Sequence, residues 1–434
     1  IMNKSLYIVA FSLAFATTGI AQNNEGQDKT VDLGTQTTTE LRKTQAVSTI
    51  YSDELDKNAT TSPYNAIYGL LPGLTVMQNT SWGTDKSRLN VRGRGSLNGD
   101  TPLFVVDGFA RPIEYINLSE IESISVLKDG AATALWGGRG ANGVVLITTK
   151  RGMYSKKEIK VDYKFGLGLP VNQPEFADAY TYAKARNEAL RYDGLQPDMD
   201  EASFLAGGNS DLYPNVDWQK EALRNHTTSH QLDITFRGGG KRLRYFSVLN
   251  YKNDMGLLNS KYTDYTDRYN SQMKKYFLNL RMNLDVDITD ATKLKLNMLG
   301  MLRETKRPTT SEATLFEQIF NTPSAAFPVQ TQNGLWGSNN VLKTNPIANL
   351  ADVGYYKLNQ RMLQADLRLI QDLSVLTRGL SAELAIAYDN NATYQETAKK
   401  SFMYQTIEKG TDGEPVYTNY GNPNDELEIS NKGL

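Results

Sequence analysis

The chain has 434 residues, 47 basic and 48 acidic side chains, and a hydrophobic fraction of 40%, so it can bury a sizeable core and is not a disordered chain. A net charge of -1 provides no basic field for a phosphate backbone, which argues against a nucleic-acid partner. The absence of cysteine excludes disulfides, thiolate metal sites and a cysteine nucleophile.

The first residues predict a secretory signal peptide, residues 1–21. Lys4 precedes an apolar run from Leu6 to Ala16, and this run is shorter than the roughly 20 residues that a transmembrane helix needs. Residues 22–56 are polar and rich in Thr and Gln, which predicts a flexible arm. An exported chain of this kind is either a periplasmic protein or a β-barrel.

Residues 57–152 predict a small α+β domain, because short apolar elements alternate with glycine-rich turns. Asp107-Gly108 is a turn signal between two of these elements. The segment from Gly138 to Gly143 fits G-x-G-x-x-G literally. A predicted helix precedes it and a strand follows, which is the reverse of a dinucleotide site, so we interpret it as a tight helix-to-strand turn.

From residue 153 to 434 the pattern changes to apolar and polar residues in strict alternation, which predicts about seven β-strands and a weaker eighth. Short turns, such as Gly238 to Gly240, alternate with long connections, such as Pro170 to Asn225. This sorting of loop lengths is typical of an antiparallel transmembrane β-barrel, and we prefer it to a soluble β-sandwich. The predicted strands contain residues 159–169, 232–236, 243–251, 278–288, 294–298, 363–369 and 380–388, with 402–407 as the weaker one.

No motif for catalysis or for a cofactor stands out, so we predict no enzyme, no catalytic residue and no metal site. His226 and His230 lie four apart in a predicted strand, a separation of roughly 13 Å, which prevents a shared metal. Calcium bound by the acidic cluster from Asp193 to Glu201 is an alternative to a solvated loop. Aromatic residues in or beside the long connections could stack on sugars or simply pack the loops: Tyr251, Tyr262, Tyr265, Tyr269, Trp336, Tyr355 and Tyr356.

Three segments carry a resemblance to a known family. They are Leu70 to Val76 (LLPGLTV), Asn90 to Leu97 (NVRGRGSL) and Pro102 to Gly108 (PLFVVDG). The most specific stretch runs from Ile121 to Gly152 and includes IESISVLKD and GGRGANGVVLITTKRG. These segments closely resemble the plug of SusC/RagA TonB-dependent outer-membrane transporters, and the resemblance extends over the chain from about Val31.

The resemblance implies a plug inside a barrel of about 22 strands in the outer membrane of a Gram-negative, Bacteroidota-like bacterium. It further implies a SusD/RagB-like surface lipoprotein as partner, energy from the TonB–ExbB–ExbD complex, and a dimer of transporter–lipoprotein pairs. The expected function is active import of oligomeric nutrients, with glycans as the leading substrate and oligopeptides second. A surface protein that binds ligand without transport is the alternative from another class.

Two groups of residues are candidates for function in such a transporter. The arm should carry a TonB box, an extended segment that adds to a strand of TonB. The candidate box residues are Thr30, Val31, Asp32, Leu33 and Gly34. Charged plug residues could hold the plug in the lumen or could be ordinary surface charges, and these gating candidates are Arg92, Arg94, Asp107, Glu120, Glu122, Lys128 and Arg139.

Seven or eight strands close a barrel only wide enough for its own side chains or a small ligand, and a plug of residues 57–152 does not fit inside one that size. We therefore expect this chain to be the N-terminal part of a longer protein, which contains the plug and the first barrel strands.

Overall fold

The computed structural model describes residues 11–13, 30–32, 37–39, 44–57, 60, 62–78, 87–95, 99–171, 173–264, 266, 268–422 and 426–433. The strands are β1 Phe11–Leu13, β2 Thr30–Asp32, β3 Thr37–Thr39, β4 Val47–Tyr51, β5 Leu74–Met77, β6 Arg88–Val91, β7 Leu103–Val106, β8 Phe109–Ala110, β9 Ile121–Leu127, β10 Val144–Thr149, β11 Glu158–Gly168, β12 Thr227–Gly239, β13 Leu243–Met255, β14 Lys274–Asp287, β15 Thr292–Pro308, β16 Trp336–Ser338, β17 Gly354–Asp372, β18 Ser381–Lys399, β19 Met403–Lys409, β20 Pro415–Gly421 and β21 Glu428–Gly433.

The α-helices are α1 Ser52–Leu55, α2 Pro63–Ala66, α3 Gly130–Thr133, α4 Ala179–Tyr192, α5 Glu201–Ala206, α6 Trp218–Ala222, α7 Ser260–Thr263, α8 Glu312–Asn321 and α9 Pro346–Ala351. Short 3-10 helices cover Ile113–Tyr115, Leu118–Glu120 and Ala134–Gly140. Within the described residues, no helix has the length and apolar character needed to cross a membrane.

The plug is built on a five-stranded mixed sheet in the order β4-β9-β10-β7-β8. Its central strands β9 and β10 are apolar along most of their length and almost fully buried, as expected for strands covered on both faces. The segment from Gly138 to Gly143 is the predicted turn into β10. Gly143 has a φ of +89°, and an added Cβ would lie 2.7 Å from the side chain of Val91. Glycine is therefore required there for both conformation and space.

The arm predicted for residues 22–56 is partly ordered, which corrects that boundary. Strand β4 pairs with β9 along its whole length, and Ile50 and Leu55 are buried in the core of the plug. Val47 and Ile50 lie on opposite faces of this edge strand and pack into two different apolar clusters of the plug, a burial that the Thr-rich composition of the neighbouring residues conceals. The predicted signal peptide, residues 1–21, lies outside the described residues except for β1, which pairs with β11.

The wall is a nine-stranded sheet in the order β1-β11-β12-β13-β14-β15-β17-β18-β21, with antiparallel pairing throughout. Strands β17 and β18 have 19 residues each, well beyond the 9–11 residues that cross a bilayer. One face carries exposed apolar side chains, among them Val161, Leu280 and Leu363. The opposite face carries buried polar ones, among them Asp233 and Asn279. The apolar-out, polar-in alternation predicted from the sequence is the pattern of a partial transmembrane β-barrel.

The long connections form a layer at one end of the wall. Helices α6, α8 and α9 share an apolar cluster that contains Trp218, Leu315 and Phe327. The segment 402–407, predicted as an eighth barrel strand, belongs instead to β19 in a separate three-stranded sheet with β16 and β20. Its apolar side chains pack against the loop cluster, and β21 takes the place beside β18.

Candidate functional site

Arg111 makes the most elaborate contact between plug and wall. The turn at Asp107 and Gly108 has positive φ at both residues, 47° and 92°, as a two-residue hairpin requires. This hairpin directs the chain after β8 at the wall. The Arg111 guanidinium donates from Nη1 to Asp366 on β17 at 2.7 Å and from Nε to Asp389 on β18 at 3.0 Å. One plug cation is thus held by two neighbouring wall strands.

The contact of Arg111 with Asp366 and Asp389 is called the clamp here. Burial and charge have opposite effects on the pKa of its arginine. The side chains of Arg111 and Asp366 are each 4% exposed, whereas that of Asp389 is 47% exposed. Burial lowers the pKa of Arg111, but the hydrogen bonds that Arg111 donates to the carboxylates of Asp366 and Asp389 outweigh burial and raise this pKa overall. Loss of one member of the buried Arg111–Asp366 pair leaves an uncompensated buried charge.

Glu120 provides a second buried ion pair. It ends the 3-10 helix Leu118–Glu120 and is fully buried. Its carboxylate accepts from Arg281 Nε and from Asn279 Nδ2, both on the inner face of β14. Burial raises the pKa of Glu120, and the neighbouring Arg281 opposes that shift. This gating candidate therefore contacts the wall, and its role in gating stays a prediction.

Hydrogen bonds and one further ion pair, between Arg151 and Asp285, continue the interface along the plug. Asn117 donates to Asp233 on β12 at 3.1 Å. Asn283 on β14 donates to the Thr149 hydroxyl at 2.8 Å, and that hydroxyl donates to Asp107 at 2.6 Å. Further polar contacts join Arg151 to Asp285, Arg303 to the Glu114 carbonyl and Arg368 to the Asp107 carbonyl.

The apolar part of the interface is small. Tyr115 from the plug packs with Leu299, Met301 and Met362 from the wall. By contrast, the plug has its own apolar core, in which residues such as Ile113, Ile121 and Val145 are fully buried. The plug is thus a self-contained unit that meets the wall mainly through ion pairs and hydrogen bonds, groups that water can satisfy after separation.

Three of the other gating candidates have side-chain partners, one of them on the wall and two within the plug. Glu122 faces Arg237 on β12 at 3.7 Å, a partly exposed pair that contributes little. Arg94 pairs with Asp100 inside the plug at 2.9 Å, and Lys128 donates to Ser48 and to the Pro72 carbonyl.

Two of the gating candidates lie on the exposed surface of the plug. Arg92 and Arg139 are both exposed, and no hydrogen bond or ion pair seen among the described residues joins them to the wall. Their exposure favours the alternative that they are ordinary surface charges of the plug. They lie on glycine-rich turns, while the wall contacts described above come from residues 107–122 and 149–151.

Sequence reasoning missed the most heavily bonded residue, Arg111, together with its partners Asp366 and Asp389. A signal was present, because both carboxylates fall on the polar face of strongly alternating strands, which faces the lumen in a barrel. Arg111 directly follows the β7–β8 hairpin that Asp107-Gly108 predicts. The sequence pattern does not show at which position along each wall strand a plug residue makes contact.

The TonB-box candidate is only partly described. Thr30–Asp32 forms a short antiparallel pair with Thr37–Thr39, and Val31 is fully buried against Val47, Leu127 and Leu146 of the plug. Leu33 and Gly34 lie outside the described residues. The expected unpaired segment is therefore folded back onto the plug at Val31.

The acidic loop cluster is engaged in protein contacts. Arg186 forms a bidentate pair with Asp198 and lowers its pKa, and Asp200 caps α5 through Ser203. Among the described residues no group of three or more His, Asp or Glu is arranged to hold a metal ion. Asp198, Asp200 and Glu201 of this cluster are bound by side chains or backbone amides.

Loop packing accounts for three of the candidate aromatic residues. Tyr262, Tyr269 and Trp336 are at most 8% exposed and are buried within the loop layer. Tyr265 lies outside the described residues.

Comparisons with known proteins agree with this geometry. A family model of the TonB-dependent Receptor Plug Domain matches residues 39–144, a range that includes β4. TonB-dependent receptor SusC of Bacteroides thetaiotaomicron is 30% identical over 255 residues, which are 55% of this chain and 24% of that protein. TonB-dependent receptor P26 of Formosa agariphila is 28% identical over 281 residues, which are 63% of this chain and 26% of that protein.

A solved structure supports the fold at lower identity. The RagAB peptide importer in its open-open state superposes with a TM-score of 0.68 at 20% identity, over 86% of this chain and 43% of that chain. The chain thus spans about a quarter of the length of the curated relatives, 24% and 26%. The chain therefore has a segment that matches the TonB-dependent receptor plug domain, followed by a partial barrel wall, and over this part it is similar to TonB-dependent receptors such as SusC.

Proposed function

We propose that this chain provides the gate and part of the wall of a transporter that imports oligomeric nutrients with energy from TonB. One observation carries the proposal: a plug with its own apolar core is tied to the inner face of a partial barrel mainly by polar contacts, centred on Arg111 and Glu120. A pulling force can break these contacts one after another without unfolding the core. Water that enters the lumen then solvates the separated charges.

The energy enters through the arm. An extended segment adds to a strand of TonB through main-chain hydrogen bonds, and we assign this role to residues 30–34. Because Val31 is buried against the plug, the box must detach before TonB can engage it. Substrate binding would shift this equilibrium by the difference in its affinity for the two states.

Deletion of residues 22–41 tests the coupling in intact cells. We expect uptake of substrate to fall to background while substrate still binds at the cell surface. A finer variant, Val31→Pro, removes one backbone donor from the box, and Thr39→Pro in the opposing strand serves as the matched control. Full uptake after the deletion would contradict the proposal, and it would favour a surface protein that binds ligand without transport.

For the substrate we propose glycans first, the class that the resemblance to SusC/RagA transporters implies. Oligopeptides are the second candidate, since the RagAB structures that share the fold are described as a peptide importer. Growth and uptake on oligosaccharides and on oligopeptides of similar mass separate the two. Uptake of oligopeptides alone would overturn the glycan assignment.

We place the protein in the outer membrane of a Gram-negative, Bacteroidota-like bacterium, with the apolar face of the wall in contact with lipid. A SusD/RagB-like surface lipoprotein is the proposed partner above the loop layer, and the TonB–ExbB–ExbD complex is the proposed partner below. Co-purification from outer membranes tests both contacts. It also shows whether two transporter–lipoprotein pairs associate into a dimer.

A further inference from the structure

The outer face of the wall contains a gap at Gly300, called the notch here. The proposed transport function does not require it. On this face Leu280, Gly300 and Leu363 stand directly opposite one another on β14, β15 and β17. Gly300 leaves a gap between two leucines of a row that ends at Asn390 on β18, and an added Cβ would meet no atom within 4 Å. A glycine inside a strand costs about 0.5–1 kcal/mol relative to alanine and often marks a close approach by a ligand.

The notch is the floor of an apolar groove of about 400 Å³. Five leucines line it and are between 37% and 52% exposed: Leu249, Leu278, Leu280, Leu302 and Leu363. These residues lie on the face that the alternation assigns to lipid, so the groove opens toward acyl chains. A fatty acyl chain fits its chemistry, because it can fill the gap with methylene groups.

A cation stands at one end of this groove. Arg361 lines it, is exposed, and lies opposite Leu302. It is two residues before Leu363 on the same face of β17, a spacing of roughly 7 Å. Among the described residues no carboxylate forms an ion pair with Arg361. An arginine at the border of an apolar surface, with its guanidinium uncompensated, is suited to a phosphate group.

Further positive charge lies beyond Arg361 on the side of the long connections. Lys274, Lys306 and Lys357 stand directly opposite one another on three neighbouring strands. Like charges in direct opposition destabilise a sheet unless an anion compensates them. Glu304 compensates Lys357 at 3.2 Å, and Glu396 stands opposite Lys357 on β18, so the uncompensated part of the row is Lys274 and Lys306. The long-connection side faces the exterior in outer-membrane barrels, which places Arg361 and this lysine row in the outer leaflet.

We propose that the groove at Gly300 and the Arg361 guanidinium together bind a phosphorylated, acylated glycolipid of the outer leaflet, of the lipid A type. An acyl chain lies along the leucines, and a phosphate accepts hydrogen bonds from Arg361. The lysine row adds attraction without a fixed geometry. The bound lipid anchors the wall where β15 lacks a side chain.

The test uses the protein purified from outer membranes in detergent and stripped of lipid. Binding of lipid A and of dephosphorylated lipid A is measured by native mass spectrometry. Arg361→Gln is expected to raise the Kd for lipid A about tenfold, the value of one charge-assisted contact, without changing the Kd for the dephosphorylated form. Gly300→Leu, which fills the notch, is expected to weaken both lipids by about tenfold or more.

Two variants provide matched controls. Arg378→Gln removes an exposed arginine from the short turn between β17 and β18, and Ala382→Leu adds a leucine to the outer face far from the notch. Neither should change the Kd of either lipid. Unchanged lipid A binding in both Arg361→Gln and Gly300→Leu would overturn the proposal. Equal loss of both lipids in Arg361→Gln would also overturn it, because phosphate recognition would then be absent. The lipid site is tested by Kd values of the purified protein, and transport is tested by nutrient uptake in cells. Either proposal can therefore be refuted without affecting the other.

Discussion

Replacement of Arg111 by methionine is the sharpest perturbation of the gate. The methionine side chain is uncharged and reaches only about as far as the Nε position of arginine, which leaves the Asp366 carboxylate, 4% exposed, without a cation. Removal of one partner from a buried pair costs about 3–5 kcal/mol. Asp389 is half exposed and can turn to water, so we take the lower end, about 3 kcal/mol. Each 1.4 kcal/mol changes an equilibrium constant by a factor of ten. The state in which the plug is separated from the wall therefore becomes roughly 100-fold more populated in the variant than in the unsubstituted chain.

Thiol labelling in outer membranes measures this population. The chain has no cysteine, so a cysteine at Asn297, a buried residue on the inner face of β15, provides a single reporter. We expect Arg111→Met to speed its reaction with a maleimide by roughly 100-fold relative to the reporter alone. Arg139→Met is the matched control and should leave the rate unchanged, because Arg139 is exposed on the plug. An unchanged rate in Arg111→Met, or an equal rise in both variants, would refute the assignment of the clamp.

Three further predictions concern the stability of separate parts of the molecule. Gly143→Ala should destabilise the plug by about 1–3 kcal/mol, because it adds a strained φ and a clash with Val91, while Gly138→Ala, which meets open space, should change stability by less than about 0.5 kcal/mol; limited proteolysis of the plug distinguishes them. Asp129 accepts backbone hydrogen bonds that lower its pKa, so its contribution is present above its unfolded pKa of about 3.9 and is lost as pH falls through the lowered value. Asp129→Ala should cost about 1 kcal/mol at neutral pH and remove this acid dependence, as thermal unfolding at pH 7 and pH 3 can show. Phe327→Ala, at 1% exposure in the loop cluster, should cost about 3–5 kcal/mol and increase protease sensitivity of the loops without opening the plug.

The strands of the wall were predictable because the alternation that forms them lies within each short stretch of sequence. Each strand repeats apolar and polar residues with a period of two, so residues such as Leu280 and Asn279 could be assigned to opposite faces from sequence alone. The hairpin at Asp107-Gly108 and the turn ending at Gly143 were equally local. The strands proved longer than predicted, because above the membrane the alternation of β17 and β18 includes polar residues on both faces.

The gate was less predictable because its contacts are distant in sequence. Arg111 and Asp366 are 255 residues apart, and their meeting depends on the stagger of the strands and the depth of the plug, neither of which is encoded in a local pattern. Glu120, Arg92 and Arg139 were predicted together as charged residues of the plug, but Glu120 is buried against the wall, whereas Arg92 and Arg139 are exposed. A motif identifies the segment that carries a function, but it does not determine where each side chain of that segment points.

A reversible tether between plug and wall tests the central claim most directly. Cysteines at Thr149 and Asn283, whose side chains meet at 2.8 Å, can be joined by a short cross-linker that a reductant cleaves, with each single-cysteine variant as control. If the plug must separate from the wall, cross-linked cells lose uptake, keep surface binding of substrate, and regain uptake after reduction. Uptake that continues at the full rate while the tether is intact would contradict the account.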